Sequence, residues 1–146
     1  MHMLYHAPDV AAALTELRRL LRPGGVLLAS ALSVEHLREL RALMDAPAGA
    51  RLPRASDRFN LEGSGDLLRT VFDQVAVDVL AGTIVLDEPG PAAAFVESAR
   101  DLHEPELPAG VTWDAVVAHT EAALAGEIAR HGSVELTART GVFVCR

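Results

Sequence analysis

The side chains of this 146-residue chain that most readily do chemistry are six histidines, one cysteine and a few serines. His2 and His6 stand four apart, a spacing that offers two imidazoles to one metal ion when the segment is helical. Pro8 and the strand-like surroundings argue against a helix there, so no metal is expected. His36, His103, His119 and His131 fall in separate segments or about three turns apart, with no carboxylate at ligand spacing, and read as solvated or capping groups. Ser30, Ser33 and Ser98 lack the Gly-x-Ser-x-Gly turn that exposes a nucleophilic hydroxyl. Cys145 is alone, which excludes an internal disulfide and a cysteine-based zinc cage. Gly24 and Gly25 follow a helix and precede a strand, the reverse of the order that aims backbone N–H groups at an anion. Gly63-Ser64-Gly65 is glycine-rich but follows no strand, and it reads as a turn into a helix.

The hydropathy pattern shows which elements must hold these groups. Pro8 and Asp9 suit a helix start, and Val10, Ala13, Leu14, Leu17, Leu20 and Leu21 then recur on one helical face. Arg18, Arg19 and Arg22 gather near the negative C-terminal end of its dipole. Pro23 stops the helix and Gly24-Gly25 permits the reversal. Residues 26–32 are apolar without alternation, which predicts a parallel strand covered on both faces. Ser33 can cap the next helix, with Val34, Leu37, Leu40 and Met44 inward and an end near Asp45. Residues 46–58 hold Pro47, Gly49 and Pro53 without periodicity and read as a mobile loop.

A short helix is expected over residues 66–72. Val75, Val77 and Val79 alternate with Ala76 and Asp78, and residues 83–86 extend the pattern as one bent strand or two short ones. Pro89 and Pro91 open a helix to about Leu102, and residues 103–110 form a linker whose Asp101, Glu104 and Glu106 surroundings are solvated. Thr112 caps a long helix from Trp113 to about Arg130, ended by Gly132. Residues 134–138 and 142–145 read as strand, with Gly141 at a bend or bulge. Strands separated by helices make an α/β fold, whose topology right-handed crossovers restrict.

Composition bounds the function. A chain of this length is one domain's worth and buries about 70% of its unfolded surface. No apolar run approaches the roughly 20 residues that span a bilayer, and no signal peptide is visible, so a soluble, cytoplasmic protein without a membrane partner is expected. The net charge is −7, from 13 basic and 20 acidic residues. That balance repels phosphate backbones and excludes nucleic acid as the expected partner. All the basic residues are Arg, and the abundance of Ala, Arg, Gly and Pro without Lys is the codon signature of a GC-rich bacterial genome.

Leu4-Tyr5-His6-Ala7-Pro8-Asp9, with the helix, Arg22-Pro23-Gly24-Gly25 and Val26-Leu27-Leu28 after it, closely resembles the middle of class I S-adenosylmethionine-dependent methyltransferases. There it forms the end of the fourth strand, the next helix and the fifth strand. Phe59-Asn60-Leu61-Glu62 resembles a Phe-x-Leu-Glu-(Asn)-Gly segment of a bacterial branch, with Gly63-Ser64 in place of Asn-Gly. Phe72-Asp73-Gln74-Val75, residues 83–89 and residues 132–146 resemble the last two strands and the helices between them.

The resemblance implies a partial Rossmann-like sheet: the last three strands with flanking helices, open at one edge, all of residues 1–146 forming the C-terminal portion of one such domain. It implies methyl transfer to a small-molecule acceptor. Tyr5 and His6 would orient or deprotonate that acceptor, since imidazole is the natural base near neutral pH. His2 and Met3 would lie in the loop against the cofactor, and Phe59, Phe95 and Trp113 would shape the acceptor pocket. The family's glycine-rich turn after the first strand and its acidic ribose ligand have no counterpart in this sequence. The chain is therefore expected to hold S-adenosylmethionine poorly by itself, as a truncation, a split gene product or a late start. The alternative is a non-catalytic remnant that self-associates, or pairs with a missing N-terminal half, through the open edge of strand 26–32.

Overall fold

The computed structural model describes residues 3–146, with Ala55 described for its backbone alone. In chain order the elements are η1 (Leu4–His6), α1 (Val10–Leu20), β1 (Leu27–Leu32), α2 (Arg38–Asp45), η2 (Ala46–Ala48), η3 (Ala55–Asp57), α3 (Ser64–Arg69), β2 (Val75–Leu86), α4 (Gly90–Glu97), α5 (Arg100–His103), η4 (Glu104–Glu106), α6 (Trp113–His131) and β3 (Val134–Cys145), where η marks a 3-10 helix. The alternation of helices and strands is the expected α/β order. No described helix is long and apolar enough to cross a membrane.

The strands form one open sheet in the order β1-β3-β2. β1 runs antiparallel to β3, from Leu27 opposite Cys145 to Leu32 opposite Thr140. Gln74 and Arg146 exchange N–H···O bonds of 3.1 and 2.9 Å, the reciprocal pairing of an antiparallel ladder, so β2 also opposes β3. The parallel, doubly covered strand expected at residues 26–32 is thus corrected. Leu27, Ala29 and Ala31 are buried while Leu28 is 53% exposed, so β1 buries one face, and its small Ala and Ser residues hide the alternation in sequence.

Local chemistry sets the element ends. The Asp9 carboxylate accepts the Ala12 N–H at 2.9 Å and the Thr112 hydroxyl accepts the Ala115 N–H at 3.2 Å, capping α1 and α6 as their sequences suggest. In Arg22-Pro23-Gly24-Gly25 the Gly25 N–H reaches Arg22 O at 2.8 Å with Gly24 at φ +75°, a type II turn with Pro and Gly in their usual places. α2 begins at Arg38, later than expected. Leu37 takes φ +54° and donates its N–H to Thr137 O at 2.7 Å, leaving residues 34–37 as a turn. The expected loop over residues 46–58 holds η2 and η3, and Leu52, Arg54 and Ser56 are buried.

The chain groups into two compact units. The first comprises residues 1–36, 54–82 and 138–146, with Leu4, Leu14, Leu27, Phe59, Leu68, Phe72 and Phe143 at its core. Gly141 belongs here for a reason the sequence showed only as a bend: a Cβ would run into Leu61 Cδ1 and come within 3.1 Å of Asp78 O.

The second comprises residues 37–53 and 83–137, where α2, α4 and α6 pack around Leu40, Met44, Val96, Trp113, Val116 and Leu124. Arg100 ties its helices together, bonding Glu97 at 2.8 Å, Asp114 at 2.5 Å and Glu104 at 3.3 Å. Glu39 accepts from the Thr137 N–H at 2.8 Å and the Thr137 hydroxyl at 2.7 Å. Burial raises the pKa of this carboxylate, but the Thr137 donors, its own N–H and Arg38 outweigh that and bring it down to about 2.

Candidate functional site

In an α/β sheet the groups that do chemistry gather beyond strand ends, where turns leave backbone and side chains exposed. In the first unit β1 ends at Leu32 and enters a turn that is densely hydrogen-bonded. Ser33 is fully buried, donates its hydroxyl to Glu62 Oε1 at 2.6 Å and accepts the Glu35 N–H at 3.0 Å. Glu62 Oε2 accepts the Val34 N–H at 3.0 Å. Burial pushes the Glu62 carboxyl up, yet Ser33, Val34, its own N–H and the charge of Arg139 together hold it below its ordinary value. His36 accepts the Arg139 N–H on Nδ1 at 3.1 Å, which places the proton of the neutral imidazole on Nε2.

Glu62 is delivered by a second clamped loop. Asn60 donates Nδ2 to Ser56 O at 2.9 Å, accepts the Gly63 N–H at 2.6 Å and gives its own N–H to Ser64 Oγ at 2.9 Å. Leu61 N–H bonds Leu32 O at 2.9 Å, stitching this loop to the end of β1. Glu62 is therefore an anion held in place rather than a mobile base.

Tyr5 and His6 lie on η1, which packs beside η3 and the start of α1. The rings touch with centroids 4.3 Å apart, tilted at 46°. Tyr5 is half-buried, His6 is exposed and Met3 is exposed, so a phenol and an imidazole stand together at the surface of the first unit. The neighbouring η3 segment brings a buried guanidinium, Arg54, and the buried hydroxyl of Ser56, whose Oγ has no hydrogen-bond partner among the described residues. His2 lies outside the described residues.

The three aromatic candidates are divided between the two units. Phe59 is fully buried in the first unit, edge-on to Phe143 at 6.0 Å. Trp113 is fully buried in the second unit, stacked on His103 at 5.3 Å. Phe95 is exposed on α4 of that same unit. The sequence does not reveal Glu62 as the partner of Ser33: Ser33 reads as a helix cap and Glu62 as part of the Phe59-Asn60-Leu61-Glu62 segment. Twenty-nine positions separate them, and no local spacing rule reaches that far.

No group of three or more His, Cys, Asp or Glu side chains able to hold a metal occurs among the described residues. The donors at the end of β1 do not suit a sulfonium nucleoside either. The Val34 and Glu35 N–H groups are spent on Glu62 and Ser33, and the Glu62 carboxylate that might bind ribose hydroxyls is spent on Ser33 and Val34.

A protein-family model described as a methyltransferase domain matches residues 1–29, which take in η1, α1 and the first half of β1. The later segments that resemble that family lie outside the match. No curated protein matches the chain.

Proposed function

We propose that the chain is the acceptor-side portion of an S-adenosylmethionine-dependent methyltransferase acting on a small molecule. The observation that carries this reading is the methyltransferase-domain match over residues 1–29, the stretch that presents Tyr5 and His6 at the surface of the first unit. In such an enzyme the protein contributes chiefly positioning and exclusion of water. His6 would take a proton from the acceptor nucleophile and Tyr5 would orient it. The sulfonium nucleoside would be gripped by groups other than the Val34 and Glu35 N–H and the Glu62 carboxylate, which are already engaged at the end of β1.

The test begins with the DNA immediately before Met1. An in-frame Gly-x-Gly-x-Gly following an apolar strand is expected. A polypeptide including it should transfer labelled methyl from S-adenosylmethionine to a small-molecule acceptor, and His6→Ala should slow that transfer by about a hundredfold. Absence of such a segment, or full activity of the 146 residues alone, overturns the proposal.

A second reading is favoured by the open sheet. β1 is a terminal strand with Leu28 and the adjacent Val26 exposed, and an apolar edge recruits another chain. A non-catalytic module that docks a partner through β1 would show no methyl transfer in any longer form.

A further inference from the structure

The opposite edge of the sheet carries a surface that neither reading uses. β2 is the terminal strand on that side, and all ten residues from Ala76 to Val85 are exposed. Five of them are large and apolar: Val77, Val79, Leu80, Ile84 and Val85, with Leu80 the most open at 64%. Natural edge strands are protected by lysines, prolines, bulges or several charges. β2 has a single charged residue, Asp78, and no proline. We propose that β2 pairs antiparallel with β2 of a second copy of this chain, joining two three-stranded sheets into one of six strands.

The strand's own pattern selects a copy of itself and fixes the register. Two identical strands that meet edge to edge in a closed dimer are related by a two-fold axis normal to the sheet. That rotation keeps every residue on its own face, so odd-numbered residues meet odd and even meet even. With Leu80 on the axis and facing its own copy, Val79 faces Ala81, Asp78 faces Gly82, Val77 faces Thr83, Ala76 faces Ile84 and Val75 faces Val85. Apolar side chains meet apolar or small ones throughout. The one carboxylate lies beside Gly82, where nothing stands within 4 Å of the space a Cβ would take, so it keeps its water. The two Asp78 side chains are separated by about 14 Å along the strands, beyond strong repulsion. Moving the axis to Val79 sets Asp78 against Leu80, and moving it to Ala81 sets Asp78 against Ile84. Both desolvate the carboxylate against a large apolar group, which disfavours them.

Sedimentation velocity of the full chain at micromolar concentration should show a dimer. Leu80→Lys places two ammonium groups across the axis and should give a monomer with unchanged far-ultraviolet circular dichroism, while Val34→Lys, at an exposed site away from β2, should leave the dimer intact. Leu80→Cys tests the register without adding charge. Residues directly opposite in an antiparallel pair have Cα atoms about 4.5–5.5 Å apart, within disulfide range, so mild oxidation should link two copies. Ala76→Cys, whose copies would stand about 27 Å apart, should not link. The native Cys145 is fully buried and does not compete. A monomeric native chain, a dimer that survives Leu80→Lys, or equal linking at positions 76 and 80 overturns the proposal. None of these outcomes touches the acceptor-side reading, which rests on residues 1–29 with Tyr5 and His6.

Discussion

Glu39 shows how much of this structure hangs on single side chains. Its carboxylate holds β3 to the first turn of α2 through two donors of one residue, Thr137. In the unfolded chain the group titrates near its ordinary 4.5, and in the folded chain at about 2. A depressed carboxylate contributes stability that is complete above the unfolded value and is lost as pH falls from 4.5 toward 2. Glu39→Gln should cost about 1–2 kcal/mol at neutral pH, a figure reduced because a third of the side chain is open to solvent. Urea unfolding followed from pH 7 to pH 2 should show the difference between native and variant closing over that acid range; a constant difference would assign the effect to packing. Ser33→Ala should cost a similar amount, about 1–2 kcal/mol, because it strips a buried donor from Glu62 and the acceptor of the Glu35 N–H. Ser33→Ala and Glu62→Gln should be strongly non-additive in a double-mutant cycle, since each removes the same bond. Additive losses would show that the two side chains act separately.

The elements divide into those that sequence announces and those that it conceals. α1 and α6 are legible because their caps, apolar stripes and terminators lie within a few residues of one another. Asp9→Ala should therefore destabilise the chain by about 1 kcal/mol, read as a lower midpoint in thermal melting. The strands were found as strands, but their direction was not: β1 looks continuously apolar because Ala29, Ser30 and Ala31 are too small to mark which face is buried. Only pairing with a segment more than a hundred residues away makes it antiparallel. The late start of α2 was concealed for the same reason, since the left-handed Leu37 is held by the distant Thr137 carbonyl. Gly141 was visible as an interruption in a strand, and the structure supplies the cause in the close approach of Leu61 and Asp78 O. Gly141→Ala should cost about 1–3 kcal/mol by overpacking the first unit, measured by denaturant midpoint. An unchanged midpoint would mean that Leu61 moves aside freely.

For the whole molecule, the decisive feature is which chemistry the described residues can carry out alone. They present a phenol and an imidazole side by side at the surface and a rigid turn at the end of β1, whose N–H groups and carboxylate are committed to internal bonds. Tyr5 and His6 were legible as a pair because they are adjacent and sit in a segment with a family likeness. The clamped turn was not, because Ser33 and His36, Glu62, and Arg139 are assembled from three parts of the chain. Isothermal titration calorimetry of S-adenosylmethionine into the isolated 146-residue chain separates these possibilities most directly. No binding heat up to millimolar ligand is the predicted result, and one equivalent bound at micromolar affinity would contradict the assignment of this chain to the acceptor side alone.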